Sequence, residues 1–102
     1  MYRPLPAGLT IKASNIDGLG LFATEDIEPN TVLGIAHIQN ANFPHGYIRT
    51  AIGAFYNHSD EPNCVLQDGY WQHMQVKYLV VNKPIKAGDE LTATYSLYKF
   101  ET

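Results

Sequence analysis

The run Gly53-Ala54-Phe55-Tyr56-Asn57-His58-Ser59-Asp60-Glu61-Pro62-Asn63-Cys64 changes character halfway. Gly53 to Tyr56 is apolar and aromatic. Asn57 to Asn63 is polar and turn-forming, and Pro62 forbids helix around it. A polar cluster directly behind a segment fit for burial needs partners for its amides and its imidazole, because buried polar groups without hydrogen bonds are costly. Either the fold supplies those partners or a ligand does.

Outward from this run the chain is a series of short β signals. Before it, Leu9 to Ala13 alternates apolar and polar, Gly20 to Ala23 is apolar, and Thr31 to Ile38 is β-branched and apolar. Asn15 to Gly18 and Glu25 to Asn30 are turns between them, and Asn40 to Tyr47 reads as loop. Tyr47 to Ile52 fits either a short strand or a helical turn. After it, Cys64-Val65-Leu66 and Gln75 to Val81 predict a hairpin around a loop at Gln67-Asp68-Gly69. Asn82 to Asp89 is turn-rich, and Glu90 to Tyr95 alternates again as a final strand. No sustained helical period and no βαβ pattern is present. The expectation is one mainly β domain of short curved strands over residues 1–102, with its core at about 9–95 and a short tail at 96–102.

Composition bounds the function. In 102 residues a single core is feasible, and 45% hydrophobic with 17% charged residues is a globular balance. A net charge of -3 argues against binding nucleic acid through phosphates, which needs a basic face. Cys64 is alone, so no internal disulfide forms. The start Met1 to Pro6 lacks an apolar run, which predicts an intracellular protein with no membrane span. His37, His45, His58, His73 and Cys64 are not at metal-ligand spacing, so no metal is expected.

Three places carry chemistry, each with an ordinary alternative. Gly18-Leu19-Gly20 allows close approach of backbone to a ligand, or simply makes a tight turn; it lacks the third glycine and following helix of a dinucleotide site. Asn57 and His58 fit ligand contacts or a capped turn. Tyr95 at the end of an alternating strand fits an active site or ordinary cover, as do Tyr98 and Phe100 behind it.

In combination these segments are specific. Gly18-Leu19-Gly20-Leu21-Phe22-Ala23, then Phe55 to Cys64, then Gly88-Asp89-Glu90-Leu91-Thr92-Ala93-Thr94-Tyr95 resemble the SET-domain protein lysine methyltransferases, over nearly the whole chain. The compact length is similar to that of the small viral SET proteins. The resemblance implies a β-clip of small curved sheets whose C-terminal segment threads under a loop as a pseudoknot. It implies S-adenosylmethionine as cofactor, held by the Gly18, Leu19 and Gly20 backbone, by Asn57 and His58, by Tyr95, and by an aromatic of the tail, Tyr98 or Phe100, over the adenine. Tyr95 would be the catalytic tyrosine. The implied partner is a basic, lysine-containing protein segment, with a histone-like tail as one candidate, and a homodimer is a candidate assembly. A non-catalytic SET-like peptide- or cofactor-binding module is the alternative. The sequence departs from the family pattern at Ala54, where many members carry arginine, and at Thr94, where many carry aspartate. The insert at about Gln39 to Ile52 is short, and no cysteine-rich segment follows Tyr95.

Overall fold

The computed structural model describes residues 5–42 and 46–94. Its elements in order are β1 (Leu9–Ala13), β2 (Leu19–Ala23), β3 (Val32–Gln39), β4 (Tyr47–Arg49), α1 (Ala51–Phe55), β5 (Asn57–His58), β6 (Cys64–Trp71), β7 (Met74–Val81) and β8 (Glu90–Ala93). They form two four-stranded sheets, one ordered β1-β2-β8-β5 and the other β4-β3-β7-β6. The mainly β architecture of small sheets is the one the sequence predicts.

The first sheet draws on both ends of the chain. β2 pairs antiparallel with β1 through Leu9↔Ala23 to Ala13↔Leu19, and with β8 through Leu21↔Leu91 and Phe22↔Glu90. β2 is buried at every residue from Gly20 to Ala23, so both of its faces are covered, and it reads as an apolar run without alternation. β8 then pairs parallel with β5 through Asn57↔Thr92 and His58↔Ala93. This places the polar half of the central motif beside the last described strand. The C-terminal threading implied by the resemblance concerns the segment after Thr94, which lies outside the described residues.

The core lies between the sheets. Leu21, Leu79, Val81, Leu91 and Cys64 are fully buried, with Ile85 at 1% exposure. Each such aliphatic side chain contributes about 2 kcal/mol of transfer free energy. Cys64 faces Val81 in the β6–β7 ladder, and burial pushes its thiol up to about 12. The thiol is therefore a packing group and not a nucleophile.

Two local expectations are corrected. The Gln67-Asp68-Gly69 segment is not a loop: β6 runs straight through it, pairing Asp68 with Lys77 and Gly69 with Val76. The chain reverses at Gln72 and His73, where Gln72 takes a positive φ of 56°. Gly69 serves the strand instead, since a Cβ there would meet Tyr78 Cε2 at 2.7 Å. The ambiguous Tyr47 to Ile52 segment is both strand and helix. β4 ends at Arg49, and Thr50 caps α1 by accepting from Gly53 N at 3.3 Å while its hydroxyl donates to Ile35 O at 2.6 Å. The apolar half of the motif is thus the helix, with Ile52 and Gly53 buried. Gly53 sits against the Ala36 carbonyl, where any side chain would overlap.

Candidate functional site

The turn between β1 and β2 is closed by Ser14 N donating to Gly18 O at 2.8 Å, with Gly18 at φ 48°. A Cβ on Gly18 would meet nothing within 4 Å, and Leu19 beside it is 56% exposed. Gly20 is different. A side chain there would overlap Glu90 Oε2, and Ser14 Cβ lies 3.0 Å from the Cβ position. The first glycine faces open space and the second makes room for a carboxylate.

That carboxylate organises the site. Ser14 Oγ donates to Glu90, with Oε1 at 2.8 Å and Oε2 at 2.9 Å. Asn57 Nδ2 donates to Glu90 Oε2 at 2.7 Å, to Ser14 Oγ at 3.1 Å and to Asp17 O at 3.2 Å. Ser14 Oγ also accepts from Ile16 N at 2.8 Å and Asp17 N at 3.3 Å. β1's end, the glycine turn, β5 and β8 are thereby tied at one point. Asn57 is buried, while its Oδ1 has no donor among the described residues.

His58 follows on β5, half-buried, with Nε2 3.2 Å from Asp60 Oδ1. Asn63, six residues after Asn57, has a different role. Its Oδ1 accepts from Thr92 N at 2.9 Å and its Nδ2 donates to Glu90 O at 2.8 Å, so its side chain completes the backbone bonding of β8. Of the residues singled out from sequence, Gly18, Leu19, Gly20, Asn57 and His58 therefore gather around the β2–β8–β5 end of the first sheet. Tyr95, Tyr98 and Phe100 lie outside the described residues. Ser14 and Glu90 are members that the sequence reading missed.

A second polar pair sits deeper. His37 Nε2 is 3.1 Å from Tyr56 Oη, and both side chains are buried. The imidazole packs edge-on to Tyr47 and Tyr56, at centroid distances of 6.3 and 5.9 Å. Burial, with Arg49 and Lys77 adding positive charge across the neighbouring strands, lowers His37 to about 4. It is neutral near pH 7, and its Nδ1 has no partner among the described residues. A cavity of about 430 Å³ opens nearby among Tyr47, Asp68, Tyr70, Gln75 and Lys77, away from the Ser14–Asn57–Glu90 cluster. Among the described residues, no group of three His, Cys, Asp or Glu is placed to hold a metal, and no helix is long and apolar enough to cross a membrane.

Comparison with known proteins bears on the fold and the family. A family model described as SET domain matches residues 36–96. Among solved structures, a putative histone methyltransferase of Plasmodium falciparum superposes with a TM-score of 0.74 at 23% identity, covering 94% of this chain and 98% of that one. At that identity the likeness speaks for the fold. No curated protein matches.

Proposed function

The chain belongs to the SET-domain family, and on that premise we propose that it is a protein-lysine N-methyltransferase using S-adenosylmethionine. What supports the reading is the meeting of two motif segments far apart in sequence: Asn57 Nδ2 reaches Asp17 O in the glycine turn at 3.2 Å. The residues present fit such a cofactor. Open space lies over Gly18, and Asn57 Oδ1 offers an acceptor suited to an ammonium group.

When bound, the cofactor supplies an electrophilic methyl group on a sulfonium. The protein's part is alignment and desolvation. The backbone from Gly18 to Gly20, with Asn57 and His58, would hold the donor. Tyr95, two residues beyond β8 in the sequence, would orient the lysine amine and favour transfer through weak C–H···O contact. A lysine ammonium with a pKa of about 10.4 must first lose a proton, which an apolar aromatic channel favours by penalising the charged form. No carboxylate base is required. The proposed substrate is a basic, lysine-containing protein segment, in keeping with the net charge of -3.

The test is incubation with methyl-labelled cofactor and a set of basic proteins. Label on lysine, lost in Tyr95→Phe, is the expected result. Absence of label with the unaltered protein on every substrate, despite correct folding, overturns the reading. A second reading follows from the short wall that β4 and α1 provide, with three and five residues: a SET-like binding module without turnover. Calorimetry separates the two, since cofactor binding without transfer to any lysine peptide is the module's signature.

A further inference from the structure

We propose that Glu90, supported by Ser14, is a positioning residue that fixes which end of the Asn57 amide faces the cofactor. The inference rests on the methyltransferase reading and adds a residue to its site.

The amide has two ends of nearly equal shape and opposite polarity, and their order is set by the surrounding partners. Around Asn57 those partners are all acceptors. Glu90 offers a carboxylate oxygen at 2.7 Å and Asp17 a backbone carbonyl at 3.2 Å. Ser14 Oγ, at 3.1 Å, directs its own proton to Glu90 and so can only accept from Asn57. Reversing the amide would set its oxygen against a carboxylate and a carbonyl. The NH2 end is therefore held inward and Oδ1 is turned to the ligand side.

A cofactor bearing a cationic amine needs that polarity. An NH2 group turned outward would meet the ammonium donor to donor, whereas Oδ1 accepts from it. Glu90 acts here through Asn57 without needing to touch the cofactor. Its placement is enforced from two sides. β8 sets its register opposite Phe22, and Gly20 leaves the space that any side chain would take from the carboxylate.

The experiment is calorimetric binding of two probes to the unaltered protein, Glu90→Gln and Ser14→Ala. S-adenosylhomocysteine carries the aminobutyrate group; 5′-methylthioadenosine shares the nucleoside and thioether but lacks it. Glu90→Gln gives a neutral side chain that can present NH2 to Asn57 and unlock the flip. Expected is a loss of about tenfold or more for S-adenosylhomocysteine, with 5′-methylthioadenosine changed less than about twofold. Ser14→Ala, which keeps the carboxylate, shows the same selectivity with a loss of about threefold. It carries the test if Glu90→Gln does not fold. Equal losses on both probes indicate a general collapse of the site and overturn the proposal, as does no loss on either. If the unaltered protein binds neither probe, the cofactor reading itself falls and takes this inference with it. If it binds both and only selectivity fails, the cofactor reading stands and the role of Glu90 does not.

Discussion

Asn57 and Asn63 belong to one motif, lie six residues apart, and both bond to Glu90, yet they do different work. Asn63 spends both ends of its amide on β8 backbone, Oδ1 on Thr92 N and Nδ2 on Glu90 O. Asn57 spends only its NH2 end, on a carboxylate, a carbonyl and a hydroxyl, and keeps Oδ1 without a donor among the described residues. A side chain satisfied at both ends by the fold is a structural part. One held rigid at a single end, with the other left for something else, has the arrangement of a binding group. His37 limits that rule: its Nδ1 is also without a partner among the described residues, but the side chain is only 1% exposed and packed edge-on against Tyr47 and Tyr56.

Breaking the two asparagines separately is the direct trial. Asn57→Ala removes the open acceptor, and S-adenosylhomocysteine affinity measured by calorimetry is expected to fall at least about a hundredfold. The third group enters through pH. Lowering His37 from 6.5 to about 4 means that the unfolded chain takes up a proton that the folded one refuses. Its contribution is present above pH 6.5 and is lost as pH falls from there toward 4, by on the order of 3 kcal/mol. Urea midpoints across that range should decline in the unaltered protein and decline less in His37→Gln. Asn63→Ala strands Thr92 N and Glu90 O and should cost about 2 kcal/mol in urea unfolding, with cofactor affinity per folded molecule little altered. A binding loss in Asn63→Ala as large as that in Asn57→Ala would erase the distinction between them. The smallest effect belongs to Cys64→Ser, about 1–2 kcal/mol of stability for placing a hydroxyl in an apolar site. In the native protein at pH 8 the thiol should react with a thiol reagent only on unfolding, as burial holds it at about 12.

The strands were legible where one local signal governed them. β1 and β8 alternate, β3 and β7 are β-branched, and each was expected within a residue or two of its place. Asp68-Gly69 misled because a turn pair is a local signal, whereas the packing of Tyr78 against Gly69 and the pairing of Asp68 with Lys77 are cross-strand facts. α1 has five residues, too few to display a helical period, and its cap Thr50 was hidden in an ambiguous run. In the site, Gly18, Gly20 and Asn57 stood out through their motifs. Ser14 and Glu90 did not, because their hydrogen bond joins residues 76 positions apart, and each looks ordinary beside its own neighbours. The space Gly20 leaves was visible as a missing side chain, but nothing local said that a carboxylate fills it.

The place of β8 in the first sheet, between β2 and β5, has a consequence for the protein during synthesis. β2 and β5 emerge early, but the strand that joins them comes tens of residues later, and so does the carboxylate that orders Asn57. Until Leu91 and Thr92 are available, β2 lacks one neighbour, β5 lacks its parallel partner, and the two halves of the cradle have no common wall. Such late, long-range closure is slow relative to local hairpins. The β6–β7 hairpin, joined by the short turn at Gln72 and His73, needs no such long-range closure.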